Sequence, residues 1–291
     1  MTEWVSVSRH VMVADGTRIF ATLHGGAPDK IPLLCLPGLT RNSRDFEPVV
    51  AKFAGERAIL TLDFRGRGLS DHASDPLTYR PDVELADTQA VLADFKIPRV
   101  AVLGTSRGGI VGMLLAVAQP QMLMGLFLND IGPRVEPGGL LRIMKYVGRD
   151  VSFNNWPSAA IAFATSQSGF QNVSEEQWLQ AAKRIYTEAG QRVIPQHDSN
   201  LRLTLPRAAD VEAAKLPELW DLLTMLKDKP VTILRGQNSD LLADETLQKM
   251  GATLPHSETI TVPDRGHVPF LDEAESVDAL ERWLRRIDAT A

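Results

Sequence analysis

A serine set among small residues, six histidines and several aspartates at the ends of apolar runs are the groups in this 291-residue chain that could do chemistry. A serine hydroxyl is a weak nucleophile until a base takes its proton and a pair of donors stabilises the oxyanion its attack creates. Residues 100–118 read VAVLGTSRGGIVGMLLAVA, so Gly104-Thr105-Ser106-Arg107-Gly108 has the form G-x-S-x-G between a β-branched run and a segment with helical apolar spacing. Small flanking residues permit a strained strand-to-helix turn that presents the Ser106 hydroxyl. The helix opening there directs its dipole and unpaired first-turn amides at the reacting centre, which makes the backbone N–H of Arg107 an oxyanion donor. The Arg107 side chain is expected to be a solvated or salt-bridged surface group. The second donor is expected from Pro37-Gly38-Leu39-Thr40, with the Leu39 amide favoured over that of Thr40.

His267 is the expected base. It lies in VPDRGHVPFLDE, after the last strand pattern and before the last helix pattern, where an Asp-Arg-Gly turn can carry an imidazole across the sheet edge. His10, His24, His72, His197 and His256 lack a comparable setting; His24 reads as strand-end structure and His72 as an exposed loop residue. For the orienting carboxylate, Asp240 in ILRGQNSDLL, just beyond the strand pattern that follows the insertion, is favoured and gives the chain order Ser, Asp, His. Asp130, which ends LFLND, is the alternative acid. Asp63 in LTLDFRGRGLSD is expected to pair structurally with Arg65 or Arg67. No His or Cys spacing makes a metal site, and Gly66 and Gly68 lack the following helix a dinucleotide fingerprint requires, so no cofactor is expected.

These residues need elements to hold them. Residues 5–13 and 18–24 alternate around Asp15-Gly16 and predict an antiparallel hairpin. Apolar runs at IPLLCLPG, 57–64, 99–104, 123–130, 230–236 and 257–263 predict strands buried on both faces. Helical patterns fill 43–54, 82–95, 107–119, 241–251 and 273–288, the first capped by Asn42 or Ser43, the second with Pro81 ahead of an acidic first turn. Alternation of this kind means βαβ units and a mainly parallel sheet. It fails across 134–228, where helices are expected near 138–148, 157–169, 174–189 and 207–226 and no strand is convincing. The expected division is a core of 1–133 and 229–291 with a helical insertion over 134–228, whose aromatic residues Phe153, Trp156, Phe163, Phe170, Trp178, Tyr186 and Trp220 are placed to cover Ser106.

With 44% hydrophobic residues the chain can bury a substantial core, and its formal charge of −5 without a basic run argues against nucleic acid as a partner. Cys35, the single cysteine, reads as a small core residue. The start MTEWVSVSRHV lacks the pattern of a secretory signal, and the longest apolar stretch falls short of a membrane span. A soluble cytoplasmic protein acting on a small molecule, without a membrane partner, is the expectation; a homo-oligomer is left open.

Taken together, LPGLTRNSRDF after a strand, LDFRGRGLSD, GTSRGG, LRGQNSDLL and DRGHVPF, in this order, resemble the α/β-hydrolase superfamily over almost the whole chain. The resemblance implies an α/β fold with an eight-stranded, mostly parallel sheet, helices on both faces and a helical cap inserted after the sixth strand. Members often place the acid as G-x-x-D, whereas Asp240 stands one residue later after Gly236, which keeps Asp130 in contention. Relatives that cleave carbon–halogen bonds or epoxides use an aspartate nucleophile, which Ser106 disfavours. The implied activity is hydrolysis of a small or medium carboxylic ester or lactone. A meta-cleavage carbon–carbon hydrolase and a non-catalytic ligand receptor are the alternatives, because the fold alone does not fix a substrate.

Overall fold

The apolar runs form one eight-stranded sheet in the computed structural model, which describes residues 4–26 and 29–290. The first three residues of the N-terminal stretch and Ala291, at the edges of the expected core, lie outside the described residues. Strands β1 (Ser6–Met12) and β2 (Arg18–His24) make the antiparallel hairpin, turning at Gly16 with φ 86°. β3 (Leu33–Leu36), β4 (Ile59–Leu62), β5 (Val100–Thr105) and β6 (Leu123–Asn129) follow, and β7 (Tyr186–Ala189) and β8 (Arg192–Pro195) form a separate hairpin. β9 (Val231–Gly236) and β10 (Ser257–Val262) complete the main sheet in the order β1-β2-β4-β3-β5-β6-β9-β10, parallel from β4 onward. Every residue of β3, β4, β5 and β9 is buried, which is why their sequences run apolar rather than alternate.

Helices cover both faces. α1 (Glu47–Phe53) follows a 3₁₀ turn over Ser43–Phe46 whose cap is Asn42, its side chain accepting from the Arg44 N–H. α2 (Pro81–Asp94) begins at Pro81, and α3 (Arg107–Ala118) begins directly after Ser106. α2 and α3 contribute Val91, Leu92, Val111 and Leu115 to one apolar layer, while α1 and the last helix contribute Val49, Phe53, Leu280 and Trp283 to the other. Cys35 is fully buried in the second layer, and burial pushes its thiol pKa up, so it is inert packing.

Between β6 and β9 the chain forms α4 (Pro137–Met144), α5 (Trp156–Ser166), α6 (Glu175–Ile185), the β7–β8 hairpin, α7 (Ala208–Glu212) and α8 (Trp220–Thr224). Two expectations fail here. The helix expected over 174–189 stops at Ile185, because Gly190 at φ 60° turns the chain into a hairpin that Val193 ties to Phe153 through two backbone hydrogen bonds. The helix expected over 207–226 splits into two short pieces, with Pro217 lying in the break. α9 (Asp244–Thr253) and α10 (Ala274–Thr290) close the chain. Among the described residues no helix is long and apolar enough to cross a membrane.

Candidate active site

β5, β6 and β9 are parallel neighbours, with Thr105 beside Asn129 and Asn129 beside Leu234, so their carboxyl ends share one edge of the sheet. Ser106 leaves β5 at φ 49° and ψ −112°, a conformation costing a non-glycine residue about 1–3 kcal/mol. Its N–H donates to the Asn129 carbonyl at 3.1 Å, which holds the turn. The glycines of the motif are steric requirements. A Cβ on Gly104 would lie 2.5 Å from the Gly109 nitrogen, and one on Gly108 would lie 2.0 Å from the Leu36 carbonyl oxygen.

The Ser106 hydroxyl lies 3.0 Å from His267 Nε2, and His267 Nδ1 lies 2.7 Å from Asp130 Oδ2. A carboxylate only accepts, so the ring proton sits on Nδ1 and Nε2 is left to accept from Ser106. Asp130 is fully buried, one residue past β6, at φ 54°. Its Oδ2 also accepts from Ser239 Oγ at 2.6 Å and its Oδ1 from the Gly236 N–H at 2.8 Å, so three donors compensate its burial.

Asp240, the acid favoured from the sequence, is not the aspartate that His267 meets. Both of its oxygens accept from Arg142 of α4, at 2.6 and 2.9 Å, and that guanidinium also donates to the Ser166 carbonyl. Burial pushes the Asp240 carboxyl up, but Arg142 outweighs it and leaves the pKa below the usual value. The residue that stands where G-x-x-D would put an acid is Ser239. It serves instead as a donor to Asp130.

Leu39, Thr40 and Arg107 line the same cavity as Ser106 and His267. The Leu39 carbonyl accepts from Arg67 Nε at 2.7 Å, which pins the loop carrying the expected oxyanion donor. Arg67 is fully buried and lies 2.8 Å from Glu84 of α2, itself fully buried. The Arg107 side chain is 12% exposed and its Nη1 is 3.6 Å from Glu84, so of the two expected states it takes the ion-paired one, shielded rather than solvated. Asp63 is structural as expected, but its partners are the backbone N–H groups of Ser43 and Leu69 at 2.6 and 2.8 Å rather than Arg65 or Arg67. Arg65 is taken by Asp87 and Asp15.

The cavity has a volume of about 810 Å³. Of the aromatic residues expected to cover Ser106, Phe153, Phe163 and Tyr186 line it, burial pushing the Tyr186 hydroxyl up to about 12. Phe170 and Trp178 instead pack with Phe270, the Trp156 indole donates to Glu188 and Lys249 lies over the Trp220 ring. His197, set aside from the sequence, also lines the cavity; burial, helped by the charge of Arg67, pushes its pKa down to about 4. A β-bridge between residues 197 and 67, with backbone hydrogen bonds from the Gly68 N–H to the Gln196 carbonyl and from the Asp198 N–H to the Gly66 carbonyl, brings it there, and no local motif signals that. Among the described residues no group of three or more His, Cys, Asp or Glu side chains is arranged to hold a metal.

A profile of the alpha/beta hydrolase family matches residues 33–280. The chain is 32% identical over 252 residues to 3-hydroxybutyrate-oligomer hydrolase of Cupriavidus necator, covering 84% of this chain and 85% of that one. It is 24% identical over 259 residues to 2-(acetamidomethylene)succinate hydrolase of Mesorhizobium japonicum, covering 88% of each. A crystal structure of an alpha/beta hydrolase from Novosphingobium aromaticivorans superposes with a TM-score of 0.88 at 39% identity, covering 98% of this chain and 99% of that one. This chain belongs to the α/β-hydrolase family and is a hydrolase.

Proposed function

We propose that the protein is a serine hydrolase that cleaves a small or medium carboxylic ester or lactone through an acyl-enzyme on Ser106. The observation that carries this reading is the unbroken hydrogen-bonded line from Ser106 through His267 to Asp130, opening on the cavity. In the first half-reaction His267 Nε2 takes the hydroxyl proton as Ser106 Oγ bonds to the carbonyl carbon. The amides of Leu39 and Arg107 hold the oxyanion, and Asp130 stabilises the imidazolium. Collapse breaks the carbon–oxygen bond to the alcohol, which leaves with the proton from Nε2. Water then enters, gives a proton to His267 and attacks the acyl carbon; the proton returns to Ser106 as the acid departs.

The segment 134–228 serves in this reading as the cap, and Phe153, Phe163 and Tyr186 give the acyl or alcohol portion an apolar wall. The similarity to a hydrolase of 3-hydroxybutyrate oligomers, whose links are carboxylic esters, supports ester over carbon–carbon cleavage. Ser106→Ala is expected to abolish both hydrolysis of short p-nitrophenyl esters and labelling by a fluorophosphonate probe. Labelling retained at another residue would overturn the assignment, and cleavage of vinylogous diketones without ester turnover would replace the ester reading with the carbon–carbon one. Specific binding without turnover of either would leave a receptor.

A further inference from the structure

We propose that the Arg107 guanidinium is a carboxylate anchor, so that the substrates are esters keeping a free carboxylate elsewhere in the same molecule. The inference rests on the ester-hydrolase reading and specifies its substrate class. Arg107 follows the candidate nucleophile directly and lines the cavity, and its side chain is only 12% exposed. A guanidinium offers five N–H donors, and shielding one from water without matching acceptors is costly. Among the described residues no hydrogen bond reaches this guanidinium. Its nearest anion is Glu84 Oε2 at 3.6 Å, beyond hydrogen-bonding distance.

Glu84 is also shared. Its Oε1 lies 2.8 Å from Arg67 Nη2, so two guanidiniums face one carboxylate, and Arg107, the residue of the two that lines the cavity, is held at the greater distance. The acid that lines the cavity, Asp82, is taken by Arg80. The remaining arginines near the cavity are differently placed. Arg41 is held by both oxygens of Asp45 and Arg80 by both oxygens of Asp82, while Arg149 sits on the exposed rim. Arg107 is thus the cation beside Ser106 that no carboxylate holds within hydrogen-bonding distance. A planar carboxylate matches that fork with two parallel charge-assisted hydrogen bonds.

Two matched substrate pairs test this. The linear dimer of 3-hydroxybutyrate carries its carboxylate on the alcohol side of the ester, and mono-p-nitrophenyl glutarate carries it on the acyl side. Each is compared with the analogue whose carboxylate is a primary amide. The readout is the ratio of kcat/KM for acid over amide within each enzyme, so that a general loss from touching the oxyanion turn cancels. In at least one pair the parent is expected to favour the acid about tenfold or more, as a charge-assisted contact predicts. That ratio is expected to fall to about one in Arg107→Gln and to be partly kept in Arg107→Lys, which retains the charge but not the fork. The pair that responds tells on which side of the scissile bond the carboxylate lies. A parent that hydrolyses acid and amide equally in both pairs, or an Arg107→Gln enzyme that keeps the preference, overturns the anchor and leaves the ester reading standing. Hydrolysis of none of the four compounds overturns both. If Arg107→Gln does not fold, a full preference kept by Arg107→Lys counts against the bidentate contact, and a reduced one counts for it.

Discussion

Asp130 and Asp240 stand at the same edge of the sheet, one residue past β6 and four past β9, and the structure gives them opposite surroundings. Asp130 is sealed off and faces three donors of the core, His267 Nδ1, Ser239 Oγ and the Gly236 N–H. The Asp240 side chain is 28% exposed and faces one cation from the segment between β6 and β9, Arg142. What separates them is the neighbour each strand end supplies, not the residue type or the strand-end position. A carboxylate surrounded by neutral donors stays available to stabilise an imidazolium, whereas one matched by a guanidinium fork is already neutralised and works as a tie between two parts of the molecule.

The largest expected effect breaks the comparison directly. Asp130→Asn keeps the shape but offers His267 an amide that can stabilise the wrong tautomer, and kcat is expected to fall on the order of 10⁴-fold, as when the acid of such a triad is neutralised. Asp240→Asn is expected to change kcat by less than about tenfold. Its larger consequence is on stability, about 1–2 kcal/mol for loss of a half-buried bidentate pair, read as a lower Tm. Steady-state kinetics and thermal melts of the two variants side by side decide it. A collapse of kcat in Asp240→Asn with a mild effect in Asp130→Asn would exchange the roles.

Ser239 sharpens the same contrast at a smaller scale. It is the donor that occupies the G-x-x-D position, 2.6 Å from the carboxylate that meets His267, and its hydroxyl also accepts from the Leu242 N–H at 3.1 Å. Ser239→Ala leaves a buried Asp130 oxygen with one donor fewer. The expected result is a fall of about tenfold in kcat with KM little changed, the size of one lost hydrogen bond to a charged group. A purely structural serine would lower Tm and leave the pH dependence of kcat/KM untouched; a shift in the limb governed by His267 is the signature of a positioning role.

Much of this was legible in the sequence, for physical reasons that can be named. The central strands declared themselves because burial on both faces favours near-continuous apolar runs, as LLCL shows, whereas β10, expected to be covered on both faces, is largely half-exposed. Ser106 was legible because its turn needs Gly104 and Gly108, and that steric demand is written locally. The choice between Asp130 and Asp240 was not. It depends on Arg142 and Ser239, which lie 98 and 109 residues from the aspartates they contact, and no local pattern carries such a pairing. The β7–β8 hairpin escaped for a related reason: YTEA and RVIP are four residues each, and the contact that fixes them comes from Phe153.

The smallest expected effect separates the two halves of the site by pH. His197 has a folded pKa of about 4 against 6.5 for a free imidazole, so the unfolded chain takes up its proton first on acidification. The associated stability is complete above pH 6.5 and is lost as the pH falls from there to about 4. Asp240 has the other profile: its folded pKa lies below 3.8, so the contribution of its Arg142 pair is complete above that value and is lost only at lower pH. Urea unfolding between pH 7 and 4 is therefore expected to give the parent and Asp240→Asn the same dependence on pH, the variant being offset by a constant amount. His197→Gln is expected to lose less stability, or gain more, than the parent on acidification over that window. If His197→Gln keeps the parental slope while Asp240→Asn flattens it, the pH-sensitive group between 6.5 and 4 is Asp240. The contrast between a carboxylate already neutralised by Arg142 and an imidazole kept uncharged beside Arg67 would then be wrong.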